Sequence, residues 1–169
     1  MLEILIGLAW KIPVIALAVV FFEWAIHRYT MHRKVWGLGW SYRWHHEEHH
    51  AQKMNEIHNH VDILWQPYVV AWLVGAAWGG SRIYFFNDLG GASGIVSLGV
   101  VLFIHRYLWN HIHRNIHELD GYTNWTRYIP LYYGWVKRHH LEHHRHPNYN
   151  LSILFPLVDT VMKTQWRRS

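Results

Sequence analysis

The sequence predicts an all-α, integral-membrane helical bundle with about three or four membrane helices and a cytosolic, histidine-rich helical cap. Three observations carry this. The 169-residue chain is 51% hydrophobic and 16% charged, where soluble domains are about a quarter charged. Its apolar residues gather in three long runs. Its 12 Trp and 10 Tyr suit the bilayer boundary, where an amphipathic ring has one apolar and one polar side.

The length fits one domain, residues 1–169. The first run, residues 4–26, is apolar apart from Lys11 and Glu23. As a helix it would extend about 34 Å, enough for a hydrocarbon core of about 30 Å. Gly7 is tolerated there and Pro13 is a kink point. A signal peptide fits poorly: Glu3 precedes Lys11, no small-x-small cleavage site follows, and the run leads straight into His27. The second and third runs, 61–80 and 92–109, form a hairpin around residues 81–91, where Asn87, Asp88 and Gly90-Gly91 mark a connection. Residues 151–162 are apolar but short and interrupted by Pro156, which predicts an interfacial or packed segment.

Charge orients these spans. Arg28, Arg33, Lys34, Arg43 and Lys53 lie in segment 27–60. Arg114, Arg127, Lys137, Arg138, Arg145, Lys163, Arg167 and Arg168 lie after the third run, and the hairpin loop has only Arg82. The positive-inside rule puts both basic segments in the cytoplasm. The histidine-rich segments 27–60 and 110–150 then share one side, and one site can draw ligands from both. Basic residues that flank apolar runs read as membrane anchors rather than a nucleic-acid footprint. The absence of cysteine excludes disulfides, cysteine-ligated iron–sulfur clusters and thiolate haem.

The 17 histidines are the anomaly. They include His27-x4-His32, His46-x2-His49-His50, His113-x3-His117 and His140-x2-His143-His144. On an α-helix, spacings of three and four share a face. His46, His49 and His50 therefore point one way, as do His140, His143 and His144, and likewise His113 and His117. His27 and His32, five apart, cannot share an α-helical face and fit a helix end followed by a turn. His45 and His139 stand one residue ahead of their boxes and are alternatives to His46 and His140. His58, His60, His105, His111 and His146 read as solvated or packed. Ten imidazoles exceed the needs of one ion. Two ions with about five each leave an open position per metal, which favours iron over four-coordinate zinc. Two closed zinc sites would need only eight ligands. A metal transporter or sensor predicts ionisable groups inside the spans, where the chain offers little beyond Lys11, Glu23, His105 and Arg106.

The ordered set HxxxxH, HxxHH, HxxxH, HxxHH around a membrane hairpin resembles the fatty acid hydroxylase superfamily, which includes sterol desaturases, sphingolipid fatty-acid hydroxylases and bacterial carotenoid hydroxylases. The resemblance runs from His27 to His144. The phrases His117-Glu-Leu-Asp-Gly-Tyr122 and His146-Pro-Asn-Tyr-Asn-Leu-Ser152 are also similar to family segments. The resemblance implies metal ligation by His27, His32, His46, His49, His50, His113, His117, His140, His143 and His144. It implies two iron ions, with zinc as a substitute in purified samples, and dioxygen. The implied reaction is hydroxylation or desaturation of a hydrophobic lipid, acyl or sterol-like, entering from the bilayer. Carotenoid hydroxylases carry a proline after HHE, where this chain has Glu48-His49-His50-Ala51, so carotenoid ring hydroxylation is the alternative.

Glu47, Glu48, Glu118, Asp120 and Glu142 lie in or beside the boxes, placed to accept an N–H from a ligating imidazole or simply to be solvated. No G-x-G-x-x-G fingerprint is present, so electrons would come from a separate ferredoxin- or cytochrome-type protein. Arg138, Arg145, Arg167 and Arg168 could dock such an acidic donor or anchor the chain. Nothing in the pattern speaks to oligomeric state.

Overall fold

A computed structural model describes residues 2–51, 65–88, 90–117 and 125–167. Among them every regular element is helical. In chain order these are α1 (Leu2–Ile26), a π-helical turn (His27–Met31), α2 (Gly39–Tyr42), a π-helical stretch (Arg43–His49), α3 (Gln66–Phe86), α4 (Gly90–Ile116), a 3-10 turn (Trp125–Tyr128), α5 (Pro130–Arg145) and α6 (Leu157–Val161). Among the described residues three stretches are long and apolar enough to cross a membrane: Leu2–Met31, Gln66–Phe86 and Gly90–Ile116.

The spans differ from expectation at their ends. Pro67 sits in the first turn of α3, where its missing N–H costs nothing. The helix then runs through Tyr84-Phe85-Phe86, which the sequence assigned to the connection, and stops at Asn87 in the left-handed conformation, φ 49°. α4 outruns its apolar run by a further two turns, to Ile116. The π-helical turn continues α1 as far as Met31.

The chain forms two compact units, one of residues 1–19 and 64–107, the other of 20–63 and 108–169. In the first, Val19, Val101 and Leu102 pack with Ile12, Ile15, Ala16, Tyr68, Ala71 and Leu98. α3 and α4 approach closely at Gly79 and Gly91: a Cβ on Gly91 would collide with the Gly79 carbonyl. Small residues permit such contacts between membrane helices. Lys11 donates to Gly90 O at 2.5 Å and Ser93 Oγ at 2.6 Å. Asp88 ties the hairpin, accepting from Arg82 at 2.6 Å and from Gly90 N at 2.8 Å.

The second unit buries Trp109, Ile112, Ile116 and Val136, and Trp24 packs on Leu151 and Val158. Residues 151–162, expected to be interfacial or packed, are largely buried here: Leu151, Ser152, Ile153 and Leu154 are covered, and α6 follows.

Candidate metal centre

The centre lies entirely in the second unit. The two π-helical segments decide which histidines meet. A π-helix bonds i to i+5, so residues five apart are stacked one turn above another. His32 N bonds His27 O at 3.2 Å, and His50 N bonds His45 O at 3.1 Å. His27 and His32 therefore share a face, contrary to the expectation from α-helical geometry. For the same reason His45 takes the place expected for His46.

Ten imidazoles form two groups of five. Site 1 holds His27, His32, His45, His50 and His143; site 2 holds His49, His113, His117, His140 and His144. Within each group one nitrogen from every ring lies within 4.8 Å of all the others. Nine of the ten predicted ligands are in these groups. His46 is the exception. It lies beside site 1, half-buried, with Nδ1 3.2 Å from His32 Nδ1. Each HxxHH box serves both sites, contrary to the expectation that its members point one way, because the adjacent pairs His49-His50 and His143-His144 diverge around the helix. His50 and His143 turn to site 1, while His49, His140 and His144 turn to site 2.

The nitrogens converge in a manner that protons cannot satisfy. In site 2 the His140 Nε2 lies 3.0 Å from His113 Nε2, 3.2 Å from His117 Nε2 and 3.0 Å from His144 Nε2. Each nitrogen carries at most one hydrogen. In site 1, His27 Nε2 and His45 Nε2 are 2.8 Å apart. His27 donates through Nδ1 to Leu151 O, and His143 donates through Nδ1 to Tyr149 O at 2.8 Å. Both Nε2 atoms are thereby left as lone pairs. His143 Nε2 and His32 Nε2 are buried without a hydrogen-bond partner. A cation resolves these conflicts. Metal–nitrogen bonds of about 2.1 Å separate neighbouring nitrogens by about 3.0 Å in octahedral geometry and about 3.4 Å in tetrahedral geometry. The observed contacts, 2.8–3.3 Å, are of the size that a shared cation would give.

The sequence matches the family model described as fatty acid hydroxylase over residues 12–164. This chain belongs to the fatty acid hydroxylase family. No curated protein and no solved structure matches it. The chain is thus an enzyme of a membrane hydroxylase family, and its three helices of spanning length agree with an integral-membrane protein.

In this member of the family, burial disfavours the protonated form of several clustered imidazoles. Burial, reinforced by neighbouring imidazoles, pushes His32, His45, His50, His140 and His144 well below the usual histidine range. Burial lowers His117 to about 4, with His143 and Lys137 adding to it. Burial also lowers His143 to about 4, against the opposing bond to Tyr149 O and the field of Asp159. Neutral imidazole is the form that binds a metal.

Two of the carboxylates beside the boxes pair with surface cations. Glu47 pairs with Lys34 at 3.1 Å and Glu142 with Arg145 at 2.7 Å. Glu118 and Asp120 lie outside the described residues, as do His58 and His60. The N–H groups of His27 and His143 go instead to main-chain carbonyls. His139 bonds Asp159 at 2.9 Å. His105 meets the Tyr68 hydroxyl at 2.9 Å, His111 is buried outside both groups, and His146 stacks on Trp166 at 3.7 Å. Sequence reasoning gave the tenth place to His46. The missed signal was the spacing of five, common to His27–His32 and His45–His50.

Proposed function

We propose that the chain hydroxylates or desaturates a C–H bond of an acyl or sterol-like membrane lipid, at two irons held by the two histidine groups. The observation that carries this is the pair of five-nitrogen clusters in a chain of the fatty acid hydroxylase family. Five imidazoles in each group exceed the four ligands that zinc prefers, which favours iron. Bound iron would supply, with dioxygen and two electrons, the oxidising power to break an unactivated C–H bond. In hydroxylation one oxygen atom enters the C–H bond and the other leaves as water. The two electrons come from an external ferredoxin- or cytochrome-type donor and the two protons from solvent.

The chain's own residues position and insulate. Leu151 O and Tyr149 O fix the tautomer and ring orientation of His27 and His143. Trp109 packs on His113 with ring centroids 4.4 Å apart and is itself buried, excluding water from that edge of site 2. The positive-inside pattern supports a cytoplasmic location for the centre, within reach of a soluble donor.

Metal counting by mass spectrometry on detergent-purified protein tests the reading. Two metals per chain are expected, with at least one lost in His143→Ala and in His144→Ala. The loaded protein should consume dioxygen when given reduced donor and lipid. One metal or none in the parent protein would sink the proposal. Two metals without oxygen consumption would instead favour a metal transporter or sensor.

A further inference from the structure

Residues 149–154 leave α5 as an irregular segment, and residues 150–154 are buried. Buried backbone without helix or sheet must find other partners. Its N–H groups find them in two carboxylates. Leu151 N and Ser152 N donate to the two oxygens of Asp159 at 2.9 and 2.8 Å. Ile153 N donates to Glu23 Oε1 at 2.7 Å. Asp159 also accepts from Thr164 Oγ1 at 2.7 Å and bonds His139 Nε2 at 2.9 Å, so all of its capacity is engaged in a fully buried position.

The carbonyls of the same segment accept bonds from other groups. Tyr149 O and Leu151 O receive the N–H groups of His143 and His27. The Tyr132 hydroxyl donates to Leu154 O at 2.6 Å. Burial, with Glu23 nearby, pushes Tyr132 up to about 12, so it stays a donor. Both imidazoles held by the segment belong to site 1, and they come from opposite ends of the chain.

We infer that Asp159 and Glu23 are positioning residues for site 1, clamping the 149–154 backbone so that its carbonyls aim His27 and His143 at a shared metal. This rests on the reading of those two histidines as metal ligands. Neither carboxylate is among the groups whose ring nitrogens converge. They act through the main chain, at one remove from the usual carboxylate–histidine contact. Asparagine at 159 would present an NH2 group to a donor and break at least one clamp bond. Glutamine at 23 keeps an oxygen for Ile153 N and is the milder change.

The test is release kinetics. Full-length protein is loaded with Co(II), whose absorption reports its surroundings, and mixed with a chelator. Two metals per chain are expected in the parent protein. In Asp159→Asn one of the two should be released about 10–100-fold faster, the size of effect typical of outer partners of metal ligands, with the other unchanged. Glu23→Gln should speed release of the same metal to a smaller extent, and it decides the matter alone if Asp159→Asn does not fold. Equal acceleration of both metals, or of neither, would overturn the inference and leave these residues merely structural. A parent protein holding fewer than two metals would instead remove the metal-site reading beneath it.

Discussion

Site 1 takes His27, His32, His45 and His50 from the first third of the chain and His143 from α5. Site 2 takes His113, His117, His140 and His144 from the later part and His49 from the π-helical stretch. Their scaffolds differ accordingly. Site 2 is assembled mainly from i, i+4 pairs, one at the end of α4 and one on α5. Site 1 is assembled from i, i+5 pairs on two π-helical segments, with His27 and His143 steadied by an irregular strand of main chain. The lesson is that i, i+4 spacing on regular helices suffices to bring four of the site 2 rings together, whereas site 1 depends on π turns for its i, i+5 pairs and on two main-chain carbonyls that hold one ring from the first π turn and one from α5. The single histidine each site borrows from the other end of the chain ties the two scaffolds together.

That exchange sets the largest expected effect. His143→Ala and His49→Ala each remove the borrowed ligand, and each should lose one metal and reduce lipid oxidation to background. Retention of both metals with normal product formation in either variant would break the comparison. Next comes the distinction between neighbours. His45→Ala should lose the site 1 metal. His46→Ala, which removes a neighbour of His32, Tyr42 and His50 outside the group of five, should keep both metals with retention weakened by at most about 10–100-fold. The reverse ranking would restore the α-helical reading of the box.

Acid should affect both scaffolds. His143 in site 1 and His117 in site 2 are each lowered by burial to about 4. An unfolded chain takes up these protons near pH 6.5, while the folded chain refuses them until about pH 4. Metal-free protein should therefore be fully stable above pH 6.5 and lose about 1.4 kcal/mol per pH unit for each such histidine as the pH falls through that window. Thermal melts of the metal-free protein between pH 7 and 4 measure this. A flat profile would mean that the imidazoles are not held neutral.

The smallest effect is expected in the other unit. Gly91→Ala drives a Cβ into the Gly79 carbonyl, a backbone atom with little room to yield. It should cost about 1–3 kcal/mol in a detergent melt and leave the metal count at two. A loss of metal would show that the centre depends on helix packing in the unit that contains none of its ligands.

Much of this was legible in the sequence. Three apolar runs fixed the helical, membrane-spanning class, because period and length follow from covalent geometry and bilayer thickness. Four ordered histidine motifs marked nine of the ten clustered imidazoles, although the shared-face expectation held only for His113 with His117 and for His140 with His144. The remainder depended on long-range contact. Whether a segment winds as α or π is settled by what it packs against, so His45 rather than His46 was not readable from α-helical periodicity. The division of ligands between sites depends on how the ends of α1 and α4, α5 and the second π segment converge. Glu23, an apparent exception near the end of an apolar run, meets Ile153 130 residues away. Asp159, beyond the last box, closes the same clamp. Local sequence thus determined the helices and nearly all the clustered imidazoles. Only the tertiary structure decided how those ligands divide and what holds them, because an imidazole's aim is set by the group that receives its other N–H, and that group can lie anywhere along the chain.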